Sequence, residues 1–203
     1  MYPGWLNMRK IVKQILIATS WLVAAPVGYA VRWSTPLDPD SGFFRTGSQL
    51  VSLIPGLIGN FVRRSYYRIV LDSTPERLVI EFGSIFAHRG SEVGNDVYVG
   101  AFCIIGLSQI GDDVLIGSNV NVVSGKRVHY FERSDVPIRL QGGELSKVRI
   151  GANAWLGNKA VVMADVGDGC VIGAGSVVTS ACEPDSIYAG NPARFIRERV
   201  RGA

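Results

Sequence analysis

One stretch, residues 148–178, repeats an aliphatic residue followed by glycine every six residues, with one repeat cut to four residues at Ala164-Asp165. The repeated pairs are Ile150-Gly151, Leu156-Gly157, Val166-Gly167 and Ile172-Gly173. A period of six fits neither the α-helical period of 3.6 residues nor the strand period of 2. It is typical of a parallel β-solenoid built from short flat faces and tight corners. We therefore expect three repeats to form each coil of a triangular prism.

Each repeat also carries a small residue, at Ala154, Ala160, Cys170 and Ser176. The aliphatic and the small residue are both predicted to point inward, because a larger side chain would not fit at the small position. Glycine and asparagine are predicted at the corners, since these residues tolerate a positive φ.

The repeat divides the chain into three regions. Residues 1–77 are predicted to form a helical, membrane-associating region, and residues 78–183 a β-helical domain. One residue is missing from the repeat between Val99 and Ile110, which predicts a tightened corner. Residues 124–147 form a polar excursion without repeats, and loops on a rigid scaffold are where function is expected. Residues 184–203 are a basic tail, and Pro184 is expected to end the last coil.

The composition excludes several classes of protein. The chain is 47% apolar and 19% charged with 24 glycines, which suits a solenoid and not a disordered chain. Its three cysteines form no CxxC motif and are expected to be buried free thiols in a reducing compartment. A three-histidine zinc site of the carbonic anhydrase type does not fit two widely separated histidines, so no metal is expected.

The first apolar segment, residues 15–31, has no charge and allows several interpretations. It resembles a secretory signal, and it is also just long enough to cross a bilayer, although it contains Pro26. A third interpretation is a helix lying in the membrane interface, with Trp5, Trp21 and Trp33 at the depth of the headgroups. Burial against the protein's own subunits is the fourth.

A second helical pattern begins at Ser48, and Pro55 is expected to divide it into two helices. Arg63, Arg64 and Arg68 then alternate with apolar residues, which predicts a basic amphipathic helix on anionic lipid or a lid on the open end of the solenoid. The net charge is +4, with much of the excess in residues 1–77. Because this region is strongly apolar, an anionic membrane surface is predicted rather than nucleic acid.

Four features together resemble a known family: the repeats, an excursion with a single histidine, the run Ala-Trp-Leu-Gly at 154–157, and Gly-Asn-Pro-Ala-Arg-Phe-Ile-Arg at 190–197. The combination resembles the hexapeptide-repeat acyltransferases, in particular the galactoside, maltose, capsule and colanic-acid O-acetyltransferases. The resemblance covers roughly residues 78–199, and residues 1–77 resemble only the membrane-associated polysaccharide branch, loosely. It implies a left-handed parallel β-helix, a homotrimer, and acetyl-CoA bound in the groove between neighbouring subunits.

The resemblance also assigns site residues. The run Ser-Gly-Lys-Arg-Val-His-Tyr matches the catalytic motif at His129, and Trp155 matches the tryptophan beside the histidine and the acceptor. The CoA-binding pattern of the family falls on Asn158, Ala174, Thr179 and Ser180, with Arg194 and Arg197 at the phosphates. Ser180 stands where many relatives have lysine, and Lys159 is the candidate to compensate. The acceptor-binding Asn and Asp residues of the galactoside enzymes have no match here, so a different sugar is expected.

Acyl transfer to a hydroxyl needs a base, donors for the oxyanion, and both substrates held within reach. A histidine with a pKa near its ordinary value of about 6.5 suits the base, so His129 is predicted to activate the acceptor for direct attack in a ternary complex. Backbone N–H groups are the expected oxyanion donors. Glu132, Asp135 and Glu144 are candidates to orient the imidazole, and His88 is expected to be structural.

The predicted function is therefore O-acetyl transfer from acetyl-CoA to a sugar or lipid-linked sugar in polysaccharide or glycolipid assembly. The expected location is the cytoplasmic face of the inner membrane, where acetyl-CoA and lipid-linked sugars meet. An N-acyltransferase acting on an amino sugar or amino acid, and a non-catalytic solenoid scaffold, remain open as alternatives.

Overall fold

The computed structural model describes residues 3–34, 42–75 and 77–199, and their side chains from Gln14 onward, so that Trp5 lies outside the described side chains. Three helices come first, α1 (Pro3–Trp33), α2 (Gly42–Ser52) and α3 (Gly56–Val70). The strands that follow are β1 (Leu78–Ile80), β2 (Ile85–Phe86), β3 (Glu92–Val93), β4 (Val97–Val99), β5 (Ile104–Ile105), β6 (Ser108–Ile110), β7 (Leu115–Ile116), β8 (Asn121–Val122), β9 (Val148–Ile150), β10 (Trp155–Leu156), β11 (Val161–Val162), β12 (Val171–Ile172), β13 (Val177–Val178), β14 (Ser186–Ala189) and β15 (Arg194–Glu198).

These strands form the three faces of a triangular prism. The first face has the order β1-β4-β7-β10-β12-β14, with β15 added antiparallel to β14. The second face has the order β2-β5-β8-β11-β13, and the third has β3-β6-β9, continued by bridges that join Ile150 to Val166 and Val166 to Cys182. All pairings between successive coils are parallel. The predicted parallel β-solenoid is confirmed.

The interior of the prism is filled as the repeat predicts. The repeated aliphatic residues Ile150, Leu156, Val166 and Ile172 are all fully buried. Ala154, Ala160, Cys170 and Ser176 are also buried, and so are the free thiols of Cys103 and Cys182. One aliphatic and one small side chain from each repeat thus stack on their counterparts in the next coil.

The glycines of the repeat serve two different purposes, depending on their position in it. Gly157 does not have a positive φ; a Cβ there would lie only 2.5 Å from the backbone nitrogen of Ala174 in the next coil. The positive φ falls two residues later, at Lys159 (61°) and, in an equivalent position, at Asn153 (56°). The expectation of a positive φ at glycine and asparagine corners is thus confirmed at Asn153, Gly169 (66°) and Gly175 (70°). The glycine that follows each aliphatic residue instead permits the close approach of successive coils.

The corner between the second and third faces, here called the second corner, varies most in length. Val162 on the second face and Val166 on the third are four residues apart, as are Val178 and Cys182 one coil later. The tightened corner predicted before Ile110 is the same corner in an earlier coil. At this corner the Asp165 Oδ1 accepts the backbone N–H of Arg149 in the preceding coil at 2.8 Å. The shortened repeat at Ala164-Asp165 is therefore a tight second corner.

The helices close the first end of the prism. Pro55 separates α2 from α3 as predicted. The Tyr67 hydroxyl accepts the backbone N–H of Phe86 at 3.0 Å, and Arg63 Nε donates to the Ile80 carbonyl at 2.7 Å. Helix α3 is thus a lid on the first coil. Arg63, expected to face lipid with Arg64 and Arg68, is instead fully buried, so this part of the amphipathic prediction is wrong.

The other end of the prism also differs from the expectation. Pro184 does not end the solenoid, because β14 pairs in parallel with β12 and adds another strand to the first face. The chain then turns at residues 190–193 and returns as β15, antiparallel to β14. The basic tail is therefore extended as far as Glu198, and its pairing with β14 covers the edge of the first sheet.

Candidate active site

The excursion leaves the prism at the second corner, after β8, and returns to β9. Its two limbs run antiparallel and are joined by backbone hydrogen bonds: Ser146 N–H to Ser124 O at 2.9 Å, Glu144 N–H to Arg127 O at 2.8 Å, and Tyr130 N–H to Gly142 O at 3.0 Å. At the tip, the Gln141 side chain donates to the Arg133 and Val136 carbonyls at 2.7 and 2.8 Å. The excursion is therefore a hydrogen-bonded loop whose backbone is fixed on both sides of His129.

His129 lies in the outgoing limb, with its side chain exposed. Gly143 lies opposite on the returning limb, where a Cβ would come within 2.1 Å of the Val128 carbonyl oxygen and 3.1 Å of the His129 Cα. Only glycine allows the limbs to approach so closely beside His129. Arg127 stacks over the Tyr130 ring, 4.8 Å from its centroid, so a cation and an aromatic ring flank the histidine.

The structure does not bring the three candidate carboxylates to His129. Asp135 pairs with Arg133 at 2.6 Å, and this hydrogen bond lowers the pKa of the Asp135 carboxyl. Glu132 lies 3.7 Å from Arg127. Neither Glu144 nor any other side chain within residues 3–34, 42–75 and 77–199 forms a hydrogen bond with the imidazole of His129. The imidazole is therefore available to a substrate or to another subunit.

Four of the predicted CoA-binding residues lie on the first face and on the corner that follows it, here called the first corner. Trp155 points outward from β10 with 49% of its surface exposed. Lys159 and Ala174 are exposed at the first corner in successive coils. The Asn158 Oδ1 accepts the backbone N–H of Ser118 at 3.0 Å, so this oxygen joins two coils while the amide nitrogen remains for a ligand.

Thr179 and Ser180 follow β13, at the second corner and in a later coil than the excursion. Beside this corner lies a cavity of about 490 Å³, bounded by Lys126 and Arg127 of the excursion and by Met163, Ala164 and Ala181 of the later coils. The tight second corners of these coils leave room for this cavity beneath the base of the excursion.

Arg194 and Arg197 lie on β15, and both guanidinium groups are exposed. The Arg194 guanidinium donates to the Ala193 carbonyl and the Arg197 guanidinium to the Glu198 carbonyl. Between them, Phe195 packs edge-on against Tyr188 with ring centroids 5.8 Å apart, which fixes β15 on the first face. The guanidinium groups of Arg194 and Arg197 are thus exposed on β15, at the edge of the first face.

Within one chain the predicted residues form two groups. His129, Thr179 and Ser180 lie at the second corner or on the loop that leaves it. Trp155, Asn158, Lys159, Ala174 and the two arginines belong to the first face and the first corner. No hydrogen bond or ion pair among the described residues joins the excursion to the second group.

His88 lies apart from both groups, beside the helices. Its side chain is half-buried, and burial together with the charge of Arg45 lowers the pKa of the imidazole below its usual range. Among the residues that the structure describes, no three His, Cys, Asp or Glu side chains are grouped to hold a metal ion.

A family model described as bacterial transferase hexapeptide (six repeats) matches residues 147–180, the segment with the most regular repeat. This segment of the solenoid carries the hexapeptide repeat. The chain's match to the sequence of Galactoside O-acetyltransferase of Escherichia coli (strain K12) is 43% identical over 94 residues, which is 44% of this chain and 43% of the relative. The chain therefore matches less than half the length of this curated relative.

Solved structures share the architecture of the solenoid. A maltose O-acetyltransferase from Clostridium difficile 630 has a TM-score of 0.68 and 23% identity, with 78% of this chain and 86% of that one covered. A galactoside acetyltransferase in complex with coenzyme A has a TM-score of 0.59 and 23% identity, with 91% and 82% covered. At these identities the likeness concerns the fold.

Two features of the solenoid were missed by the sequence analysis. Gly143 supports His129 across the loop, and its only signal is the Gly142-Gly143 pair within a polar segment. The cavity at the second corner has no signal in the local pattern, because it arises between the excursion and coils that follow much later in the chain.

Proposed function

We propose that the protein is an acyl-CoA-dependent O-acetyltransferase that moves an acetyl group from acetyl-CoA to a sugar hydroxyl. The observation that carries the proposal is His129, exposed on a hydrogen-bonded loop at one corner of a solenoid that carries the hexapeptide repeat. The similarity to a galactoside O-acetyltransferase supports the reaction type, and the fold shared with a coenzyme A complex supports the donor.

In the proposed reaction, the imidazole of His129 removes the proton from the acceptor hydroxyl. The oxygen attacks the thioester carbonyl carbon, and backbone N–H groups along the coil stabilise the oxyanion. The C–S bond then breaks, and the imidazolium returns its proton to the CoA sulfur. Cys103, Cys170 and Cys182 are all buried, so direct transfer in a ternary complex is favoured over an acyl-cysteine intermediate.

Acetyl-CoA would lie in a groove between the subunits of a homotrimer. His129 of one subunit would face the first-corner group of its neighbour, where Trp155, the Asn158 amide and Lys159 line the wall for the CoA chain. Arg194 and Arg197 would bind the CoA phosphates, since guanidinium groups suit phosphate oxygens. The separation of the two groups within one chain is what supports a shared site.

The acceptor is proposed to be a sugar or lipid-linked sugar used in cell-surface polysaccharide or glycolipid assembly, met at the cytoplasmic face of the inner membrane. The exposed apolar side chains of the helices at the first end of the prism support a membrane location, and acetyl-CoA is a cytoplasmic donor.

The test is release of free thiol from acetyl-CoA with soluble sugars and extracted lipid-linked sugars, followed by mass spectrometry of the product. We expect one added acetyl group on a hydroxyl, and a His129→Ala variant with turnover lower by a factor of about 10² to 10⁴. Calorimetry should show acetyl-CoA binding unchanged in that variant. Ser134→Ala, at the exposed tip of the same loop, is the matched control.

Unchanged turnover in His129→Ala would remove the histidine from the mechanism. Acetylation of amino groups alone would favour the N-acyltransferase. Failure to bind acetyl-CoA at all would favour a non-catalytic scaffold.

A further inference from the structure

The helical end of the molecule presents a continuous apolar surface, here called the cap face. Leu22 and Trp33 of α1 are each 76% exposed, and Phe43 and Leu50 of α2 are more than half exposed. Two shallow grooves, one along α1 and one between α1 and α2, share Pro26 as a common wall. An apolar surface that extends over two helices is larger than the scattered exposed side chains of ordinary soluble surfaces.

On the three helices, every charged side chain that the structure describes is an arginine. Residues 14–34 and 42–71 contain five arginines and no Asp, Glu or Lys. Arg32, Arg45 and Arg68 have exposed side chains. An apolar face on helices whose described charges are all cationic is complementary to a bilayer that contains anionic lipid. A soluble protein partner would not require this absence of acidic residues.

The opposite side of α1 is packed against protein. The Ser20 and Ser65 hydroxyls lie 3.0 Å apart in a buried hydrogen bond between α1 and α3, and Arg32 donates to the Ile69 carbonyl at 2.8 Å. Gly28 contacts α3 so closely that a Cβ there would lie 2.9 Å from the end of the Ile69 side chain. Helix α1 is therefore held along α3 from Ser20 to Arg32.

This packing decides how α1 can meet a bilayer. From Gln14 to Trp33 the helix is long and apolar enough to cross a membrane by length and composition, with a mean hydropathy of 1.5. If α1 crossed the bilayer, either α3 would enter the bilayer with it or the contacts between α1 and α3 would break. Helix α3 carries Arg63, Arg64 and Arg68 and is bound to the first coil, so it cannot enter the hydrocarbon.

We propose that the cap face binds anionic membranes with α1 lying in the plane of the interface, so that the protein is monotopic. The aromatic rings of Tyr29 and Trp33, 6.0 Å apart on the exposed side, would lie at the depth of the headgroups. This inference concerns where the chain sits, and it holds whether or not the domain transfers acyl groups.

The first test is flotation of the purified full chain with vesicles of phosphatidylcholine alone or mixed with phosphatidylglycerol. We expect binding to the anionic vesicles that weakens with added salt. The double variant Leu22→Glu/Trp33→Glu should bind them at least about tenfold less, since it places two carboxylates on the cap face. Leu140→Glu, which changes an exposed leucine on the excursion instead of the cap face, should bind like the wild type.

Circular dichroism melting curves that match the wild type would exclude misfolding of these variants. Equal binding to both kinds of vesicle, or undiminished binding by the double variant, would contradict the proposal. Larger particles in light scattering without lipid, abolished by the double variant, would instead assign the cap face to a second copy of the chain.

The second test separates an in-plane helix from a spanning one. A variant that keeps Trp21 alone (Trp5→Phe, Trp33→Phe and Trp155→Phe) is bound to vesicles containing lipids brominated at different depths. Because Trp21 is near the middle of the apolar segment, an in-plane helix predicts stronger quenching by shallow bromines than by deep ones. Stronger quenching by the deepest bromines, or recovery of a chain from which residues 1–30 have been cleaved, would overturn the proposal.

Discussion

At the scale of single residues, the position of His129 depends on a residue that has no chemistry of its own. The two limbs of the excursion approach closely at Gly143, where there is no room for a Cβ against the Val128 carbonyl. His129 follows Val128 directly, so any outward shift of this limb moves the imidazole. Gly143 is a positioning residue because it sets the separation of the limbs.

Gly143→Ala should therefore displace His129 and lower kcat by a factor of about 10², the loss expected from misplacing a catalytic group by about 1 Å. The melting temperature should change little, because the excursion is exposed and contributes little to the core. Steady-state kinetics and a thermal melt would check both, with Ser134→Ala as the loop control. A Gly143→Ala enzyme with wild-type kcat would mean that the limb spacing does not matter for the reaction.

The residue scale also shows where sequence reasoning stops. The inward positions of Ala154 and Ile150 follow from a regular period, and the structure confirms them. The close contact at Gly143 and the collision that excludes a Cβ at Gly157 arise between segments far apart in the chain. A local pattern indicates a glycine in both cases but does not distinguish a steric requirement from a positive φ.

At the scale of elements, one buried side chain joins the helices to the solenoid. The Arg63 guanidinium donates to the Ile80 carbonyl on β1 and to the Ile54 carbonyl after α2, both at 2.7 Å, and to Asn60 Oδ1 at 2.9 Å. Burial lowers the pKa of Arg63, and the charge of Glu81 opposes this effect. Three elements thus share one set of hydrogen bonds.

Arg63→Met should lower the free energy of unfolding by about 3 kcal/mol or more, because it leaves several buried carbonyls without donors. Arg64→Met is the matched control; Arg64 is half-buried and stacks on Phe61, so we expect a loss below about 1 kcal/mol. Urea unfolding followed by circular dichroism would compare them. Equal stabilities of the two variants would show that Arg63 does not join these elements.

The strands were predictable and the helix packing was not, for a physical reason. A six-residue period leaves each strand of the prism with one possible orientation, so the sequence suffices. On α3, Arg63, Arg64 and Arg68 all look like surface cations, and only the carbonyls left at the end of α2 explain why one of them is buried. Those carbonyls belong to another element.

At the scale of the whole molecule, the candidate residues fall on different corners of the prism. A site assembled from His129 of one chain and Trp155 of its neighbour would exist only in an oligomer. A chain that lacks one of these residues could then form a complete site with a chain that lacks the other. A site built within one chain would require both residues on the same polypeptide.

Mixing His129→Ala with Trp155→Ala chains should therefore restore turnover, to about a quarter of the wild-type level if subunits assemble at random. Each variant alone should be inactive or nearly so. The measurement is thiol release after the two proteins are unfolded and refolded together, with chromatography and light scattering to verify a trimer. If the mixture is no more active than the mean of its components, the site lies within one chain.

The second corner has a consequence for how such molecules diversify. Val122 and Val148 stay in register with neighbouring strands although residues 124–147 lie between them. Two later coils cross the same corner in four residues. The strands on both sides of this corner keep their pairing whether the connection is short or long. The loop can therefore be lengthened, shortened or exchanged while the solenoid keeps its fold. The side chains that the loop presents, His129 among them, can then change by evolution or by grafting while the scaffold that carries them stays the same.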